Sequence, residues 1–306
     1  MDGFGQLPIR EAPWCQQTLK APIGCVGVAL HSGHRANLTF RPAPMNHGIV
    51  FRRSDAGVEI PARFDRVVET RLATVLAEGD VRIGTIEHVM AALAGCGVDN
   101  AVVEVDGPEL PILDGSAAPY VFLLDCSGIV AQDAPRAAIE ILRPVRVSDG
   151  EAFAELRPAS AGVPGLEMAL SIDFDAAAIG RQAISLRLTP QSFRQELARA
   201  RTFTMLQEID QLRASGLAQG GSLENAVVVD QARVLNPAGL RMPDEFVRHK
   251  LLDAVGDLAL AGASLRGRFV AHRSGHTLNH RLLEALFADQ AAWREATPAQ
   301  LSLAAE

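Results

Sequence analysis

None of the four cysteines in this 306-residue chain forms a CxxC pair. Cys15, Cys25, Cys96 and Cys126 are widely scattered, which argues against a disulfide framework and against a cysteine-ligated structural zinc. Reduced, mostly buried thiols in a cytosolic protein are the expectation. No apolar run reaches the roughly 20 residues of a membrane span, so no integral membrane segment is expected. The N-terminus, MDGFGQLPIREAPW, has no basic segment followed by an apolar one, and does not read as a secretory signal. Cations are not in excess: 29 Lys and Arg face 36 Asp and Glu, a formal net charge of −7. The chain therefore lacks the phosphate-neutralising surplus of a general nucleic-acid binder, though a single pocket can still be basic. Long polar low-complexity tracts are missing as well, and 48% hydrophobic against 21% charged residues argues against global disorder. What is present suffices for one large core or two ordinary ones.

Residues 16–82 read mainly as short strands, among them Ala36–Phe40, Gly48–Arg52 and Val58–Pro61, bounded by Gly, Pro, Asn or Asp. A helix is predicted over Thr85–Cys96, with Thr85 as N-cap and Gly95 and Gly97 as stop signals. A strand, Asn100–Val105, and a helix, Ala117–Cys126, follow. The second half repeats this order. Strands are predicted at Ala138–Val147, Ala152–Leu156, Leu166–Phe174 and Ala183–Leu188, then a helical stretch Gln191–Arg213 broken near Thr202. Next come a strand Ala226–Asp230, a long helix Asp244–Leu260, a strand Arg268–His272 and a helix Leu278–Arg294. LTFRPAP (38–44) and AELRPAS (154–160) share Arg-Pro-Ala at a strand end, and both halves have a helix ending in Ala-Gly before a strand. The shared order of elements gives this short echo its weight. The fold class is α+β: two related domains, each a β-sheet packed against helices. The boundaries are a 1–15 extension, domains 16–134 and 135–290, and a 291–306 tail.

Four segments carry residues suited to chemistry. In Thr85-Ile-Glu-His, Glu87 and His88 are neighbours about 100° apart on a helix, so both can border one cavity. A metal site needs a neutral imidazole and a nearby carboxylate base; a surface ion pair is the plain alternative. In Phe246–Asp257, His249 and Asp253 are four apart on one helix face, and Asp257 extends that face by another turn. Stacked carboxylates on one buried face need a cation or donors, whereas an exposed polar stripe does not. Arg273-Ser-Gly-His276 lies at a strand-to-helix junction, where a catalytic His or simple capping by Ser274 or Thr277 both fit. Ala198–Thr204 offers the Thr202 hydroxyl to an oxyanion, or is a solvated helix face.

Taken together, GVALHSG (27–33), LTFRPAP, TIEHVMAALAGCGVDN (85–100), PILDGSAAP (111–119), ARTF (200–203), EFVRHKLLDAVGD (245–257) and SGHTLN (274–279) resemble one family. It is the UDP-3-O-acyl-N-acetylglucosamine deacetylases of bacterial lipid A synthesis. The resemblance runs from about Thr18 to Phe287 and rests on the order and spacing of all the motifs.

The resemblance implies an active site between two domains and one catalytic Zn²⁺ held by His88, His249 and Asp253. Fe²⁺ also suits a His/His/Asp site. Glu87 is the implied general base, and His276 the protonated partner that stabilises the oxyanion and protonates the leaving amine. Asp257 holds His276 charged, Thr202 donates to the oxyanion, and Lys250 contacts substrate or holds the site's charge. Phe203 packs near the sugar. An acyl passage is implied at Leu30, Leu206, Ile209, Gly221, Ser222, Leu223, Ala226 and Val228, a set that periodicity alone reads equally well as core. Asp173 and Phe174 match a uracil-contacting pair, and Arg273 stands where a diphosphate-binding Lys is often found. Two departures are Ala152, in place of a second basic residue near the phosphates, and Leu72, in place of a Cys able to reach the metal. The implied reaction is hydrolysis of the N-acetyl group of an acylated UDP-N-acetylglucosamine by a cytoplasmic monomer. The competing readings are a catalytically silent binder of the same sugar nucleotide and a zinc amidase for another N-acyl sugar.

Overall fold

The computed structural model describes residues 15–160 and 163–296. Residues 1–14 and 297–306, which make up nearly all of the expected extension and most of the tail, lie outside the described residues. The architecture is α+β, with several sheets and six helices among the described residues: α1 (Glu87–Cys96), α2 (Ala118–Ser127), α3 (Pro190–Ser192), α4 (Leu206–Ala214), α5 (Glu245–Leu258) and α6 (His276–Ala288).

Alternating apolar residues create the sheets. Ala36, Leu38 and Phe40 point into the core from Arg35–Pro42, and Leu166, Met168, Leu170 and Ile172 do so from Leu166–Asp173. The first half forms a five-stranded sheet in the order Ile23–Val28, Arg35–Pro42, Ala101–Val105, Ile49–Arg53, Val58–Pro61. Its central strand, Ala101–Val105, runs antiparallel to Arg35–Pro42 and parallel to Ile49–Arg53. The second half repeats the plan. Ser264–His272 lies antiparallel to Ala152–Arg157 and parallel to Leu166–Asp173, and these two pair in turn with Val145–Asp149 and Arg181–Arg187. In both halves one helix precedes the central strand (α1, α5) and another follows it (α2, α6). The short sequence echo therefore marks a repeated topology, with strand order and strand sense both kept.

Four boundaries differ from expectation. Thr85 is not a cap: its φ is +58°, its hydroxyl donates to Glu109 Oε1 (3.1 Å), and α1 begins at Glu87. The chain enters α1 from a backbone bridge between Gly84 and Glu109, and that pairing fixes the turn. The stretch Gln191–Arg213 is not one interrupted helix. Thr189 and Ser192 form a reciprocal capping box at α3, a π-helical turn covers Phe193–Leu197, and Phe203–Met205 is a strand parallel to Val227–Asp230. Ala138–Val147 divides around Pro144 into Ala138–Ile141 and Val145–Asp149. The last helix stops at Ala288, because Trp293–Ala296 pairs antiparallel with Ala138–Ile141 and extends the second sheet past residue 290. Sheet pairing overrides the helical pattern there.

Helices α1 and α5 pack so closely that a Cβ on Gly256 would lie 2.0 Å from the Glu87 carbonyl oxygen. Only a residue without a side chain fits, and this contact brings the charged edges of the two helices together. Phe64 stacks on Phe287 with ring centroids 4.5 Å apart, and Thr70 shares a hydroxyl hydrogen bond with Thr277 (3.0 Å). The small sheet of residues 67–83 is thereby tied to α6.

Candidate metal centre

The first turn of α1 supplies Glu87 and His88, and two successive turns of α5 supply His249 and Asp253. His88, His249 and Asp253 each offer one ligand atom, and these atoms all lie within 4.8 Å of one another. Asp253 Oδ1 is 3.4 Å from His249 Nε2 and 3.6 Å from His88 Nε2. Those separations are close to the edge, about 3.4 Å, of a tetrahedron of nitrogen and oxygen ligands around a small divalent cation. Asp253 Oδ1 is buried and has no hydrogen-bond partner. An orphaned anionic oxygen facing two imidazoles is costly unless a cation completes it, so the donor set fits a metal ion.

Outer contacts fix the ligands. His249 Nδ1 is 3.1 Å from the Ala200 carbonyl, so Nδ1–H donates and Nε2 is left free for a metal. The His88 and His249 rings meet edge to face at 5.1 Å. Lys250 Nζ donates to Asp253 Oδ2 (3.4 Å). Burial holds the His249 pKa down at about 4, which keeps the ring neutral and ligand-ready. Burial pushes the Asp253 carboxyl upward, but His249, Lys250 and nearby His88 together outweigh it and hold the group well below the usual carboxylate range.

Beside this triangle lie a carboxyl group and an imidazole, Glu87 and His276. Glu87 is 4% exposed, and its Oε2 accepts from the Thr74 backbone N–H (3.0 Å). Burial raises its pKa, and neighbouring His276 and His88 oppose the rise. His276, the first residue of α6, has Nδ1 2.9 Å from Asp257 Oδ2. Burial lowers the imidazole pKa, but the charge and hydrogen bond of Asp257 override it and raise the value to about 9. Asp257 in turn accepts from Thr74 Oγ1 (2.7 Å) and Asn279 Nδ2 (2.8 Å). The exposed-stripe alternative for α5 fails, since His249, Asp253 and Asp257 are all buried. So does the capping alternative for α6: Gly275 is the N-cap without a side-chain bond, Ser274 Oγ donates to Asn279, and Thr277 bonds to Thr70.

Thr202 is held on both sides of its peptide, with its N–H donating to Gly115 O and its carbonyl accepting from Val227 N–H, both at 2.8 Å. Phe203 packs edge to face against Phe174 (5.6 Å), Phe246 (5.0 Å) and His249 (6.2 Å). Asp173, Phe174, Lys250 and Arg273 line one cavity of about 300 Å³ with Ile172, Asp175 and Ser274. Arg273 reaches the exposed Glu151 at 3.5 Å, at the outer end of this group. In the implied passage the segments meet: Gly220 N–H donates to Leu30 O (3.0 Å), and a Cβ on Gly221 would lie 3.7 Å from Leu30 Cδ1. Ala226 and Val228 are buried, Ile209 is half-buried, and Leu206, Ser222 and Leu223 are exposed. The neighbours Val227 and Val229 are fully buried too, so burial does not single out a passage face on this strand.

Sequence reasoning assigned no role to Thr74, Asn279 or the Ala200 carbonyl. Asn279 lies three residues after His276 and was within reach of helical spacing. Thr74 belongs to a segment of short strands and meets Asp257 only through the tertiary fold; no local signal marks it.

The chain matches the LpxC family, described as UDP-3-O-acyl N-acetylglycosamine deacetylase, over residues 16–288. It is 49% identical over 283 residues to the UDP-3-O-acyl-N-acetylglucosamine deacetylase of Anaeromyxobacter dehalogenans, covering 92% of this chain and 91% of that one. It is 49% identical over 282 residues to the enzyme of that name from Acidithiobacillus ferrooxidans and 50% over 283 residues to that from Shewanella oneidensis, with 91% of each chain covered in both cases. None of the four cysteines is disulfide-bonded, and no described helix is long and apolar enough to cross a membrane. With a family match over residues 16–288 and about half its residues identical to these relatives over more than nine-tenths of its length, the chain belongs to the UDP-3-O-acyl N-acetylglycosamine deacetylase family.

Proposed function

We propose that the protein hydrolyses the N-acetyl group of UDP-3-O-(3-hydroxyacyl)-N-acetylglucosamine, releasing acetate, as a zinc-dependent step of lipid A biosynthesis. The reading rests most on the buried His88–His249–Asp253 triangle, whose orphaned Asp253 oxygen calls for a cation. His88, His249 and Asp253 would hold Zn²⁺, or Fe²⁺ where that ion is more available. When bound, the ion polarises the acetyl carbonyl and makes water acidic enough to be deprotonated near neutral pH.

The chain's own groups supply the proton transfers. Glu87, desolvated and held by the Thr74 amide, takes a proton from the attacking water. Thr202 donates to the developing oxyanion. His276, kept charged by Asp257, gives its proton to the nitrogen as the C–N bond breaks, and the amine leaves neutral. Lys250 and Phe203 flank the sugar. Asp173, Phe174 and Arg273 take the nucleotide end, and Leu30, Leu206, Ile209, Gly221, Ser222, Leu223, Ala226 and Val228 take the acyl chain. Residues 16–134 and 135–290, the latter with its sheet extended by Trp293–Ala296, act as two domains with the site between them, in a cytoplasmic monomer.

The test is acetate release from the acylated sugar nucleotide, with metal content measured on the same sample. About one zinc per chain is expected, with turnover lost on chelation and regained on reloading. Full activity in metal-free protein would overturn the reading.

A further inference from the structure

Glu245 is the first residue of α5, one turn before His249, and it is wholly buried. Its carboxylate accepts four hydrogen bonds. Arg201 N (3.0 Å) and Nε (2.8 Å) donate to Oε1, while Arg201 Nη2 (3.1 Å) and Arg241 N (2.7 Å) donate to Oε2. Arg201 is buried as well, and its Nη2 also donates to the Gly239 carbonyl (2.9 Å). A buried ion pair is a poor way to gain stability, because desolvation offsets the attraction and apolar residues of similar volume serve as well. Its retention here calls for another reason.

The geometry supplies one. The Arg201 N–H that donates to Glu245 belongs to the same planar peptide unit as the Ala200 carbonyl that accepts from His249 Nδ1. In a trans peptide these two groups point in opposite directions. Fixing one end on Glu245 therefore aims the other at the imidazole. The loop of contacts from Glu245 through the 200–201 peptide to His249 spans one turn of α5, and Thr202 is the next residue along.

We infer that Glu245, together with Arg201, is a positioning residue: it sets the 200–201 peptide plane and through it the His249 ring and the placement of Thr202. This deepens the metal-hydrolase reading and rests on it. A role confined to stability would move the unfolding temperature alone. A positioning role also moves metal affinity and kcat, while substrate contacts and KM stay as they are.

The test compares wild-type and Glu245→Gln protein in zinc affinity, by competition with a chelator, in kcat and KM for acetate release, and in thermal unfolding. Gln offers one acceptor where Glu offers two, and leaves Arg201 unpaired. A loss of about 10–100-fold in zinc affinity, the range seen when support to a metal-bound His is removed, is expected, with a similar fall in kcat and KM within twofold. Should that variant fail to fold, Arg201→Lys decides. It keeps the charge pairing and the backbone N–H but loses the fork that reaches Glu245 and Gly239 together; a smaller loss in the same two quantities is expected. Lower thermal stability with unchanged zinc affinity and kcat would overturn the inference. A wild-type protein that binds zinc tightly yet releases no acetate would sink the deacetylase reading, while the zinc-affinity arm would still decide this one.

Discussion

The inner and outer ends of the site are built differently. At the inner end, Glu87, His88, His249, Asp253 and Asp257 are each at most 4% exposed, and Glu87, His249 and Asp257 are also held by a hydrogen bond from outside the set. At the outer end, Leu206 and Leu223 are 41% and 44% exposed, and the Arg273 guanidinium pairs with the exposed Glu151. In the water-excluded pocket, charge interactions are strong and a small displacement is expensive. On the open flank, the proposed acyl binding would come from apolar area, which adds up contact by contact and tolerates imprecision. The inner end should therefore fail abruptly under substitution and the outer end gradually.

The largest effect is expected from His249→Ala, which removes a proposed ligand: zinc content and turnover should fall together, as read by metal analysis and acetate release. Next is Glu87→Ala, which is expected to retain zinc and lose about 10²–10⁴-fold in kcat/KM, the usual size of a general-base contribution. A Glu87→Ala protein that loses its metal would instead place Glu87 among the ligands.

Third is the pH profile. His276 keeps its proton below about 9 and loses it above, so kcat/KM should decline on the alkaline side near that pH. Asp257→Ala removes the anion that stabilises the imidazolium, and should move this limb to lower pH. An unmoved alkaline limb would assign it to another group, since such limbs report the coupled site as a whole.

The outer end should respond more mildly. Removing the 3-O-acyl group from substrate sacrifices about 0.8 kcal/mol per buried CH₂, so four methylenes correspond to roughly 200-fold in kcat/KM. Equal values for acylated and non-acylated substrate would show the 206–228 segment to be core alone. Single truncations such as Leu206→Ala, at a side chain already two-fifths exposed, should raise KM by only ~3–10-fold, about 1 kcal/mol. An abrupt loss there would erase the contrast between the two ends.

The same contrast governs how much was legible beforehand. His249, Asp253 and Asp257 share a helix face by spacing alone, and Glu87 and His88 are adjacent, so the inner end could be read in large part from local periodicity. Their convergence could not, because it depends on α1 meeting α5. Thr74 was invisible for that reason: it reaches Asp257 across 183 residues of chain. Most strands of the two large sheets and the four helices α1, α2, α5 and α6 were legible from alternation and turn residues, whereas Ile129–Pro135, which pairs with Cys15–Leu19, was not. The errors fell where tertiary pairing won over local pattern, as at Phe203–Met205 and Trp293–Ala296. Thr85 looked like a cap because Thr is a good one, yet the Gly84–Glu109 bridge recruits its hydroxyl elsewhere. At the outer end the family resemblance implied a passage past Ala226 and Val228, but Val227 and Val229 are buried as well, and sequence pattern cannot tell a tunnel wall from a core strand.

The missing side chain at Gly256 has a wider consequence. With the Glu87 carbonyl standing where a methyl group would be, the gap between the two helices is set by main-chain atoms, which have no alternative rotamers. The separation of His88 on α1 from Asp253 and His249 on α5 is then a fixed gauge, machined by backbone on backbone. An ion entering the site must match that gauge, and Gly256→Ala would be a shim that reopens it, weakening every metal by moving His88 away from His249 and Asp253 while all three side chains are kept.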